Sequence, residues 1–191
     1  MIEQNYFLVQ LRCYDNLVNK LIKEGYMALS SNKLTACDVH EVTNVKQAVL
    51  GTIAYTADGR KYRYAKNGGT QLAAGATVVA ATQAAYASTA SKKLAIGDAL
   101  VPTAGTVTAA NAPKYEDGTL TINNAKYLAS GVTQNGVISL QDAIDVPAAS
   151  GATTSLAINP YCGVVAGSAS PIGMAEVVVP ANAYFWAFVS A

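Results

Sequence analysis

The sequence predicts a mainly β protein, an antiparallel β-sandwich or β-barrel preceded by an N-terminal helix or arm. Three observations predict it. Short runs of β-branched and aromatic residues recur from about residue 48 to the C-terminus, with no helical pattern between them. Asp-Gly or Asn-Gly pairs at 58–59, 67–68, 117–118 and 135–136 punctuate these runs, and such pairs tolerate the positive φ that tight turns need. Residues 1–45 have a different texture and form the arm and its connection, while 46–191 form the β-rich domain.

In the first segment Phe7, Leu11, Tyr14, Val18 and Leu21 are spaced four, three, four and three, which places them on one stripe of a helix. Arg12, Asn16, Asn19 and Lys23 take the other side, and Gly25 is placed to end the helix. The stripe packs either on the protein's own core or against a neighbouring subunit. Residues 6–13 also alternate passably, which leaves an extended arm open. Next, VLGTIAYT (49–56) reads as a strand, Asp58-Gly59 as a turn and RKYRYAK as the second strand of a hairpin. Residues 76–95 read as a long connection, with or without a helical turn, because alanine favours helix while Thr, Val and Gly dilute that preference. GTLTINN, GVISLQ, TTSLAIN, CGVVAG, AEVVV and YFWAFVS read as further strands, the last apolar on both faces and therefore central. No clear internal repeat is visible.

Composition narrows the function. The chain of 191 residues is 51% hydrophobic, which argues against disorder. Only 13% of residues are charged, about half the usual share of roughly 25%. A surface so poor in charge often lies against another protein, although a neutral monomer has the same composition. The net charge of +1 disfavours nucleic acid, because phosphate binding needs cations clustered on one face. Cys13, Cys37 and Cys162 are odd in number and far apart, and read as buried free thiols of a reducing compartment. The opening MIEQNYFLVQLRC does not read as a secretory leader. No apolar run reaches the ~18 residues of a membrane span.

The search for chemistry yields no catalytic, cofactor-binding or metal-binding residue. NGGTQLAAG lacks the lysine of a phosphate loop. His40, the single histidine, sits near Cys37, Asp38 and Glu41, too close in sequence for a four-ligand zinc cage. No nucleophile motif accompanies it. In RKYRYAK, strand alternation puts Arg60, Tyr62, Tyr64 and Lys66 on one face and Lys61, Arg63 and Ala65 on the other. The tyrosines pack inward with hydroxyls at the rim. Lys61 and Arg63 are then candidates for pairing with acids of a neighbouring strand or subunit.

Several segments together resemble a block of virion structural proteins of tailed bacteriophages. Leu50-Gly51, Asp58-Gly59-Arg60, Tyr62-Arg63-Tyr64 and Leu72-Ala73-Ala74-Gly75 match it in order. YEDGTLTIN, ISLQDAI, INPYCGVV and YFWAFVS continue the likeness, which covers about residues 48–75 and 115–191. The resemblance implies a non-enzymatic head decoration or cement protein, β-rich and trimeric. It would bind the major capsid protein on the capsid exterior after synthesis in the host cytoplasm, with no cofactor, nucleic acid or membrane. A tail-tube or spike component is the alternative, and a hydrolase a more distant one. Under this reading Phe7, Leu11, Tyr14, Val18, Leu21, Lys61 and Arg63 are the candidate subunit-interface residues.

Overall fold

A computed structural model describes residues 33–35 and 38–190. The expected N-terminal helix, with Phe7, Leu11, Tyr14, Val18 and Leu21, lies outside the described residues, as do Cys13 and Cys37. The protein is mainly β, with 42% of residues in strands and 3% in helix. The strands are β1 (Lys33–Thr35), β2 (Ile53–Tyr55), β3 (Lys61–Asn67), β4 (Ala76–Val79), β5 (Tyr86–Thr89), β6 (Leu100–Pro102), β7 (Thr119–Ile122), β8 (Ala125–Val132), β9 (Val137–Leu140), β10 (Thr153–Ala157), β11 (Cys162–Ala166), β12 (Gly173–Ala175) and β13 (Tyr184–Ser190). They fall into two compact units. Unit 1 holds the described residues up to Ala81 together with 163–190, and unit 2 holds residues 82–162.

In unit 1, β3, β11, β4, β12 and β13 close into a five-stranded barrel, because β13 pairs back onto β3. The hairpin expected at 56–60 is present: β2 and β3 are antiparallel, and Gly59, at φ 87, completes the turn. VLGTIAYT forms a shorter strand than its composition predicts, since Val49–Thr52 make a turn and only Ile53–Tyr55 pair as strand. The expected inward tyrosines are found, with Tyr62 and Tyr64 buried. Tyr64 lies 5.0 Å from Trp186 and stacks on Tyr184 at 5.8 Å. Tyr62 meets Phe188 edge-on at 5.6 Å. Strict alternation fails at Ala65, which is fully buried although Lys61 and Arg63 of the same parity are not. There β13 places Phe185 opposite Ala65, and a methyl side chain is covered whichever way it points. YFWAFVS is a central strand between β12 and β3, as its two apolar faces predict.

Unit 2 is a curled six-stranded sheet in the order β5-β10-β7-β8-β9-β6. A single bridge between Ala90 and Thr103 joins the ends of its two edge strands. Its core is mostly aliphatic, with Leu94, Val101, Leu120, Ile122, Ile138, Ile144 and Leu156 almost fully buried. The β7–β8 turn is Asn123-Asn124 with φ 48 and 64, the left-handed pair that a two-residue hairpin demands. Residues 76–95, expected as a connection, contain β4 and β5 instead. Alanine's helical preference is overridden there by pairing with β11 and β12 in one unit and with β10 in the other.

The two units share a backbone device, an internal repeat whose sequence trace is the short pattern Leu-Ala-x-Gly at 72–75 and 94–97. In unit 1 Leu72 bridges Val179. Three residues on, Gly75 (φ 80) and Ala76 together oppose Ala175. In unit 2 Leu94 bridges Ala148, and three residues on Gly97 (φ 96) and Asp98 together oppose Ile144. Each is a β-bulge whose first residue needs the left-handed conformation. The partner segments answer in the same spacing. Gly151 (φ 84) and Ala152 oppose Ala90 in unit 2, and Asn182 (φ 61) donates to Gly68 in unit 1. The device joins the β3–β13 ladder to the β4–β12 ladder in one unit, and β5–β10 to β6–β9 in the other.

Candidate functional site

Of the candidate subunit-interface residues, only Lys61 and Arg63 lie in the described part. Both are half-buried on β3. Arg63 donates from a guanidinium nitrogen to the Gly51 carbonyl at 2.9 Å. Gly51 (φ 90) and Thr52 form a further bulge opposite Tyr64, so this contact of Arg63 braces a turn of its own unit.

Two tyrosine–carboxylate clasps hold surface loops to the sheets. In unit 1 the Tyr62 hydroxyl donates to Glu176 Oε2 at 2.8 Å. Arg60 lies 3.6 Å from the other carboxylate oxygen and bonds Asp58 at 2.8 Å, while His40 Nδ1 is 3.9 Å from Glu176. Burial, then the hydrogen bond to Glu176, pushes the Tyr62 hydroxyl up to about 12. Thr56, then Arg60, hold the Asp58 carboxyl below the usual carboxylate range. In unit 2 the Tyr127 hydroxyl donates to Asp145 at 2.6 Å, and burial, then this bond, raises its pKa. His40 is half-exposed and belongs to the first clasp. Among the described residues no group of three or more His, Cys, Asp or Glu side chains is arranged to hold a metal ion. Cys162 is buried, in no disulfide, and its thiol donates to the Pro113 carbonyl at 3.5 Å.

The exterior of unit 2 holds the more distinctive arrangement. Segments 94–98 and 144–148 run side by side. Leu94 and Ala148 exchange both backbone bonds at 2.8 and 3.1 Å, Gly97 donates to Ile144 at 2.8 Å, and Ile144 donates to Asp98 at 2.9 Å. Leu94, Ile144 and Ala148 are buried beneath this ribbon. Ile96, at the turn that Asp98 N–H closes onto Ala95, is 70% exposed, Val146 on the adjoining segment 41%, and Leu100 on the edge strand β6 54%. Lys92 and Lys93 flank one end in the open, while Asp98 and the exposed Asp142 lie at the other. Sequence reasoning passed over this ribbon because its residues come from two stretches about fifty apart. The signal was present in Leu94-Ala95-Ile96-Gly97, which has the pattern of Leu72-Ala73-Ala74-Gly75.

Compared with protein-family models, with curated proteins and with solved structures, the chain gives no match.

Proposed function

We propose that the chain is a non-enzymatic virion structural protein of a tailed bacteriophage, of the head decoration or cement type, which docks as a homotrimer on the shell of the major capsid protein. The observation that supports this reading best is the exterior. Only 13% of the chain's residues are charged, and among the described residues eight large aliphatic side chains are exposed by 37% or more, spread over both units. Such a surface loses little hydration of charge on contact, so apolar burial is free to drive docking. Repetition of one weak contact over a shell multiplies it. The ordered set of motifs that resembles those of phage virion proteins supports the same reading.

The test is addition of purified protein to expanded capsids that lack it, followed by co-sedimentation and a heat-release assay for packaged DNA. Saturable binding and a higher release temperature are expected. Failure to bind, or antibody labelling of tails rather than heads in complete virions, would overturn the head assignment.

A further inference from the structure

We propose that the ribbon of residues 92–100 and 142–146 is a self-complementary surface through which unit 2 pairs with unit 2 of a second copy. The order of side chains along the ribbon carries the inference. Lys92 and Lys93 stand at one end, Ile96 and Val146 in the middle, and Asp98 and Asp142 at the other. A two-fold axis through the middle sets the apolar centre of one copy on that of the other. The same rotation brings the lysine end of each copy against the aspartate end of its mate, so both charge contacts are attractive. A two-fold interface requires this kind of self-complementarity, and charges flanking an apolar centre fix register and exclude other partners.

The residues are free to engage. Among the described residues Lys92, Lys93 and Asp142 have no ion-pair or hydrogen-bond partner, although cations and carboxylates lie on the same unit. Asp98 keeps one oxygen on the Ala95 N–H at 3.0 Å, which holds Ile96 outward at the turn. Leu100, on edge strand β6, adds an exposed apolar side chain past the aspartate end. This two-fold contact is separate from the three-fold contact of the proposed homotrimer, and it stands whether or not the chain docks on a capsid.

Sedimentation of the full chain from on the order of 1 μM to 1 mM tests it. Reversible self-association is expected, with Ile96→Asp weakening it at least roughly tenfold and leaving the thermal melt unchanged. Lys92→Glu with Lys93→Glu in one variant, and Asp142→Lys in another, each weaken self-association. Mixing these two variants restores pairing above the level of either alone, because both contacts then join opposite charges. A chain that stays monomeric, association indifferent to Ile96→Asp, or variants that fail to pair when mixed would each overturn the proposal. So would loss of capsid binding by Ile96→Asp when the unmodified chain shows no self-association, since the ribbon would then serve another protein.

Discussion

Units 1 and 2 use one device to join two strand ladders and fill the result differently. In unit 1 the strands complete a ring, and the β3–β13 pair buries Tyr62, Tyr64 and Trp186 on one face and Phe185 on the other. In unit 2 the sheet curls without full pairing of its edges, and the interior is packed mainly with Leu, Ile and Val. The bulges and bridges at Leu72–Val179 and Leu94–Ala148 thus set the path of the chain, while side-chain volume fills what that path encloses. The unclosed sheet also leaves β6 and the adjoining ribbon at an edge, where the proposed self-contact lies.

The strongest way to break the comparison is at the closing strand of the barrel. Trp186→Ala is expected to cost about 3–5 kcal/mol, the range for deleting a large buried aromatic, since Trp186 is only 3% exposed. A loss under about 1 kcal/mol in a urea melt would show that aromatic filling is not what holds unit 1. The equivalence of the two bridges comes next. Leu72 and Leu94 are both almost fully buried, so Leu72→Ala and Leu94→Ala should each cost about 2–4 kcal/mol. Separate unfolding transitions with one variant affecting only its own unit would sharpen the result, while losses differing by more than about 2 kcal/mol would deny that the sites are equivalent.

Smaller effects test the bulges. No atom stands within 4 Å of a Cβ built on Gly75 or Gly97, but both have positive φ. Alanine at either should therefore cost about 1–2 kcal/mol from backbone strain alone, with no rearrangement visible by chemical-shift mapping beyond the turn. The clasp comes next. Tyr62→Phe should cost about 1 kcal/mol near neutral pH by removing the bond to Glu176. Because the folded-state pKa is raised from 10.0 to about 12, the contribution of this hydroxyl is complete below pH 10 and is lost as pH climbs to about 12. The phenylalanine variant should lack this part of the alkaline fall in a pH series of melts. The smallest effect has the opposite sign. Asn182, the non-glycine member of the repeated positions at φ 61, should become more stable by a few tenths of a kcal/mol as Asn182→Gly. Destabilisation there would mean that the asparagine side chain supports its turn.

Strand positions were legible wherever β-branched or aromatic residues clustered between turn pairs, as at 61–67, 119–122, 137–140, 153–157 and 184–190. Strands β4 (ATVV), β5 (YAST) and β6 (LVP) were not, because they are three or four residues long, the first two are set in an alanine-rich stretch, the last ends in proline, and all take strand conformation from their partners. AEVVV read as one strand, yet β12 ends at Ala175 and only Val179 pairs again, since Glu176 turns aside to meet Tyr62. Of the candidate interface, Lys61 and Arg63 were placed on the right strand, but the partner of Arg63 at Gly51 is a carbonyl that no spacing rule identifies.

By itself the sequence determined the β class, the turns at Asp58-Gly59, Asp117-Gly118 and Asn135-Gly136 but not one at Asn67-Gly68, where β3 runs through Asn67, the inward tyrosines of β3 and the low charge of the chain. All of these follow from local backbone preference or from composition, which act over a few residues or over the whole chain. Only the tertiary structure decided the division into two units, the repeated bulge device, the closure of β13 on β3 and the ribbon that runs 94–98 beside 144–148. These depend on pairings between residues tens of positions apart, whose free energy comes from the contact itself and leaves no mark on either segment alone.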